Sequence, residues 1–255
     1  MCVYDRGDGT GRVGARAQRE GGRVRVDEGS LPWRTMTTLR IPGRFNGPPD
    51  SGNGGYVAGL LAARRDDAVV TVVLRSPPRL EVPLAVRDGG LFDGDTLVAQ
   101  STPGQFQQDA PRPVPYPEAA AATSEYQSNT IFGHCFVCGS ERTDGLRIQP
   151  GVVSEGVVAA PFTPDGTVDI GVPLLWAAMD CPGGWSVPEM FERPAVLGSM
   201  TATVHTLPKP GEQCVVVGVF RDQEGRKART STVLYGADER LLGRAEQVWI
   251  RLAAA

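Results

Sequence analysis

The chain has 255 residues, with 26 Lys and Arg against 29 Asp and Glu and a formal charge of −3; no strongly basic face argues for nucleic acid. No apolar run reaches the ~20 residues that a membrane helix needs, and the N-terminus has no hydrophobic signal core, so a soluble cytoplasmic protein is expected. The length holds two small units or one large one.

Residues 1–37 read as a disordered N-terminal extension. Cys2 to Gly29 is dominated by Gly, Arg, Asp and Glu and has too few large apolar groups to offset its ordering entropy. Met36 directly precedes the strand-like Thr37 to Ile41, which points to Met36 as the translation start.

A first unit spans 38–108. Phe45 to Asp50 is turn chemistry, and Asn53-Gly54-Gly55 opens a small-residue helix running to Ala63. Strands are expected at Val69–Arg75, Arg79–Arg87 and Thr96–Gln100, the last entered through the Asp93-Gly94-Asp95 turn. Residues 109–130 form a linker, Pro-rich and extended over Asp109–Pro117, with the Ala content for a short helix in Glu118–Gln127.

The second unit, 131–255, repeats this order. Val152–Pro161 alternates as a strand, and Val172–Asp180 is an apolar stretch long enough for a helix that stops before Pro182. Strands follow at Gly198–Leu207, Gln213–Arg221, Lys227–Tyr235 and Leu241–Arg251, separated by Gly-rich turns. Hairpin spacing after a single helix indicates an antiparallel sheet wrapped around that helix, an α+β arrangement. The first unit is one strand shorter than the second.

Two such units in one polypeptide resemble a double hotdog protein, over residues 38–252. Gly225-Arg226-Lys227, a strand, a turn and Leu242-Gly243-Arg244-Ala245 resemble the closing strands of hotdog acyl-CoA thioesterases. Asn53-Gly54-Gly55 stands where thioesterases of the phenylacetic-acid-degradation type carry His-Gly-Gly, and Asp180 where they carry an acid further along the helix. Cys135-Phe136-Val137-Cys138-Gly139, Gly145-Leu146-Arg147-Ile148 and Met179 to Trp185 are similar to actinobacterial members of this group. The resemblance implies a double hotdog with two central helices, each wrapped by an antiparallel sheet, the sheets joined as in a hotdog dimer. It also implies hydrolysis of an acyl-CoA or acyl-carrier-protein thioester without a cofactor, and leaves room for a homodimer of two-unit chains.

Thioester hydrolysis needs donors for the developing oxyanion and a carboxylate that activates water or attacks directly. The first amides of a helix supply the donors, and Gly54 and Gly55 let a ligand approach the backbone. Asp180 is the expected acid. A helix N-terminus and a mid-helix acid of the same helix are about 13 Å apart at ~1.5 Å per residue, so the two must come from different helices. Asn53 aligns with Gly171 and Ala62 with Asp180, which leaves one live site and one vestigial one. Asn53 in place of His can donate an amide hydrogen but cannot transfer a proton. Tyr56 and Leu60 on the first helix, with Leu175, Trp176, Met179 and Trp185 on the second, suit an apolar acyl group; core packing explains them equally well. Arg226, Lys227 and Arg229 suit CoA phosphates or a solvated basic turn.

Cys135-x-x-Cys138 is half a zinc motif. His134, Cys181, His205, Cys214 and Cys2 supply no second pair, so no metal is assigned; a reduced thiol pair is expected, with metal binding and redox chemistry as alternatives. Neither histidine stands on a helix face beside an acid, as a hotdog hydratase or dehydratase requires. No Gly-x-Ser-x-Gly elbow is present for a serine hydrolase. The alternative to a hydrolase is a non-catalytic acyl-thioester-binding or structural hotdog protein.

Overall fold

The computed structural model describes residues 37–123, 126 and 131–253. The expectations for the N-terminal extension through Met36 and for residues 124, 125 and 127–130 of the linker lie outside the described residues.

The first half of the chain runs β1 (Thr38–Arg40), a 3-10 turn at Gly43–Phe45, α1 (Gly54–Ala62), β2 (Val70–Leu74), β3 (Pro83–Arg87), β4 (Gly90–Asp93) and β5 (Thr96–Pro103). After α2 (Tyr116–Thr123) the second half runs β6 (Gly151–Ser154), β7 (Val157–Phe162), α3 (Val172–Trp185), β8 (Ala195–Val204), β9 (Cys214–Glu224), β10 (Lys227–Tyr235) and β11 (Leu241–Arg251). All eleven strands join one antiparallel sheet in the order β1-β3-β4-β5-β2-β8-β11-β10-β9-β7-β6. Read outward from the β2–β8 junction, each half places the strand after its helix first, its last strand second, and the strand before its helix toward the outer edge. Val70 to Val73 pair with Ala202 to Ser199 across that junction, and the Thr71 and Thr201 hydroxyls meet at 2.7 Å.

Two elements differ from the expectation. Four strands, not three, follow α1: the additional one is the short β4, whose Gly90 and Asp93 ends read as turn residues and whose order comes from pairing with β3 and β5. Val152–Pro161 is a hairpin, not one strand, because Gly156 turns the chain at a φ of +70°. The first half is indeed one strand shorter, but the missing strand lies before the helix.

Alternation along the strands sorts two faces. Cys214 and Val216 of β9 join the large core with α1 and α3, where Leu61, Leu84, Leu91, Leu175, Trp176 and Met200 are fully buried. Val215 and Val217 point the other way, into a smaller cluster with Ala119 of α2 and Val114 of the linker. The linker is a docked strap: Tyr235 Oη donates to the Pro111 carbonyl, Arg221 to that of Asp109 and Arg244 to that of Gln108.

Helices α1 and α3 cross in opposite directions and touch through glycine. A Cβ on Gly55 would stand 2.5 Å from Asp180 Cβ and 2.7 Å from the Trp176 carbonyl oxygen; one on Gly59 would stand 2.6 Å from Pro173 Cα. The start of α1 therefore lies on the middle of α3, with no room for a side chain between them. Helix α3 also continues past Pro182 to Trp185 instead of ending before it. Side chains of the sheet help hold this segment, the Met179 carbonyl accepting from Thr232 Oγ1 at 2.9 Å and Gln247 Nε2 at 2.7 Å, and the C-cap Ser186 Oγ donates to the Gly183 carbonyl.

Candidate active site

Asn53 is the N-cap of α1. Its Oδ1 accepts from the Tyr56 amide at 2.8 Å, satisfying one of the donors that a helix start leaves unpaired. Its Nδ2 reaches across to α3 and donates to Asp180 Oδ2 at 2.9 Å. The Gly55 amide donates to the same oxygen at 3.0 Å. The other carboxyl oxygen, Oδ1, is buried without a hydrogen-bond partner among the described residues. Asp180 is only 3% exposed, and burial pushes its carboxyl up to about 7, opposed by the Gly55 amide and by Asn53, with the Cys135 thiol adding to the rise.

Asp180 forms part of the wall of a cavity of about 560 Å³ at this end of the helix pair. Asn53, Gly54 and Trp185 line it too, together with apolar groups from Leu74, Ile131, Met190, Leu197 and Trp249. The Gly54 amide makes no hydrogen bond to a described residue, so it is a helix-start donor beside the carboxylate. Gly55, by contrast, spends its amide on Asp180.

Of the residues expected to bind substrate, only Trp185 lines this cavity. Tyr56 stacks on Phe45, with ring centroids 4.0 Å apart and planes at 7°. Leu60 and Trp176 are buried in the core. Arg226 directs its guanidinium to the Arg251 carbonyl at 2.7 and 2.9 Å, and Lys227 is exposed at the start of β10. Arg229 is held by Asp222 and Glu224. The histidines are also elsewhere: His134 is exposed beside Glu141 at 3.2 Å, and burial lowers the His205 imidazole.

A third cysteine joins the expected pair. Cys135, Cys138 and Cys181 are all buried and line the cavity, their sulfurs lie within 4.8 Å of one another, and Cys135 Sγ is 3.7 Å from Cys181 Sγ. Asn53 Nδ2 lies 4.0 Å from Cys135 Sγ. Hydrogen bonds from the other two thiols hold Cys135 well below the usual thiol range, while burial raises Cys138 and the bond to Cys135 raises Cys181. Spacing along the chain gave no sign that Cys181 would meet the pair; its place next to Asp180 on one helix was the only available clue.

Comparison with protein-family models and with curated protein sequences found no match. Solved structures do resemble the chain. A candidate thioesterase of Novosphingobium aromaticivorans aligns with a TM-score of 0.58 at 13% identity, covering 85% of this chain and 95% of that one. A protein of hot dog fold and unknown function from Alicyclobacillus acidocaldarius aligns at 0.55 and 11%, covering 86% and 93%. The acyl-CoA thioesterase II TesB2 of Mycobacterium marinum aligns at 0.52 and 12%, covering 86% and 93%. At these identities the likeness is one of backbone architecture, and it agrees with the order of strands and helices above: the chain has a hotdog-type α+β fold.

Proposed function

We propose that the chain is a double hotdog acyl-thioester hydrolase, with units at 38–108 and 131–255 and one composite site between them. The observation that carries this reading is the Asp180 carboxylate. One of its oxygens is fixed by the start of the other helix, the other is buried with no partner among the described residues, and the residue forms part of the wall of a cavity large enough for an acyl group. Thioesterases among the structures of like fold support it.

In this reading Asp180 takes a proton from water as the oxygen adds to the thioester carbonyl. The Gly54 amide stabilises the oxyanion, and removing such a donor costs about 3 kcal/mol of barrier. The carbon–sulfur bond then breaks, and the proton on Asp180 goes to the leaving thiolate. Gly55 and Asn53 orient the carboxylate instead of touching the carbonyl. The acyl group lies against Leu74, Trp185 and Leu197. The thiol portion is CoA or an acyl carrier protein.

A thiol-release assay over an acyl-CoA panel tests the proposal; release by the wild type that is lost in Asp180→Asn is the expected result. The second reading, acyl-thioester binding without turnover, draws on Asn53, whose two polar atoms are both committed within the protein. Saturable binding of acyl-CoA with no thiol release on any member of the panel would establish it.

A further inference from the structure

We propose that Cys135, Cys138 and Cys181 form a binding site for a thiophilic divalent cation of the zinc class, with its fourth coordination position open to the cavity. Three observations support it. First, at a zinc–sulfur distance of ~2.3 Å, two ligands of a tetrahedral site stand ~3.8 Å apart. The Cys135 and Cys181 sulfurs are 3.7 Å apart, and the third sulfur lies within 4.8 Å of both. Closing the set around an ion needs only small rotations of the side chains.

Second, the loop has the form of a metal knuckle. The turn is closed by the Gly139 amide on the Cys135 carbonyl at 2.9 Å, and a Cβ on Gly139 would stand 2.6 Å from that oxygen. The sequence Cys-x-x-Cys-Gly is therefore needed for the geometry as well as for the sulfurs.

Third, the surroundings supply an outer donor to the sulfurs and leave one side open. Asn53 Nδ2 points toward Cys135 Sγ at 4.0 Å. All three cysteines face the cavity, so water or a small thiol can occupy the fourth position; this is the three-ligand arrangement of an open zinc site. Binding displaces the thiol protons to solvent, leaving three thiolates on the dication. Cys214 is not part of this group and does not line the cavity.

The inference rests on the cysteine geometry and not on the hydrolase reading. The test is metal analysis of the full chain purified under reducing conditions, followed by cobalt(II) titration of the chelator-stripped protein. The expected results are about one zinc per chain and the visible ligand-field bands of a tetrahedral cobalt thiolate, shifted by an added small thiol. Cys138→Ser and Cys181→Ser should each lower metal retention by at least ~10-fold, whereas Asp180→Asn should retain metal whether or not the wild type hydrolyses thioesters. Failure of the stripped, reduced and folded wild type to bind cobalt, or a native Cys135–Cys181 disulfide without metal, would overturn the site. Cobalt bands that no small thiol shifts would overturn the open position.

Discussion

The two ends of the α1–α3 pair share their packing and differ in their chemistry. At one end the first turn of α1 lies on Asp180, beside three thiols and a cavity of about 560 Å³. At the other, α3 starts from Gly171, an N-cap without a side-chain bond, and Ala62 holds the place along α1 that Asp180 holds along α3. A second cavity, bordered by Leu174 of α3, measures about 40 Å³. Glycines keep the helices in contact at both ends, Gly55 against Asp180 and Gly59 against Pro173. Repetition of an architecture therefore did not repeat the site: packing constrains both ends, whereas a buried carboxylate must be held by donors, and those are present at one.

The largest effect should come from removing the distinguishing group. Asp180→Asn preserves size, so turnover of an acyl thioester should fall by about 100-fold or more, measured as kcat by thiol release, with little change in Tm. Unchanged kcat would place the chemistry away from this end. The converse substitution, Ala62→Asp, puts a carboxyl on a buried position, and at the start of α3 the matching residues are Gly171, which has no side chain to donate, and Pro173, which has no amide hydrogen. It should destabilise the fold by about 2–3 kcal/mol in urea unfolding and restore no activity to Asp180→Asn. Rescue would mean that the second end is still competent.

Gly55→Ala tests the shared packing. Its Cβ would press on the Asp180 side chain and the Trp176 carbonyl, so about 1–3 kcal/mol should be lost by denaturant unfolding, and Gly59→Ala should lose a similar amount. Only the first should also lower kcat. The smallest effect is expected for Lys227→Ala, an exposed residue away from the cavity wall, which should change stability by less than about 0.5 kcal/mol. A large rise in KM for acyl-CoA without a change for a short acyl thioester would instead assign Lys227 to the CoA phosphates.

Periodicity and turn chemistry alone determined most elements of this protein. The four strands after α3, the starts of α1 and α3 and the antiparallel α+β class follow from alternation bounded by Gly and Pro, because a half-buried strand must place apolar groups on one side. Asn53 was legible as a helix cap and Asp180 as an acid on the second helix. Local sequence could not provide what depends on partners distant in the chain. Strand β4 is ordered by neighbours on both sides, and α3 passes Pro182 with Thr232 and Gln247 holding the Met179 carbonyl. Tyr56 and Trp176 turned to the core and not to the cavity, since an apolar side chain reads the same in either place. Only the tertiary structure put Cys181 beside Cys135 and bound one oxygen of Asp180 to the Gly55 amide, because both contacts join segments whose separation along the chain carries no signal of their approach.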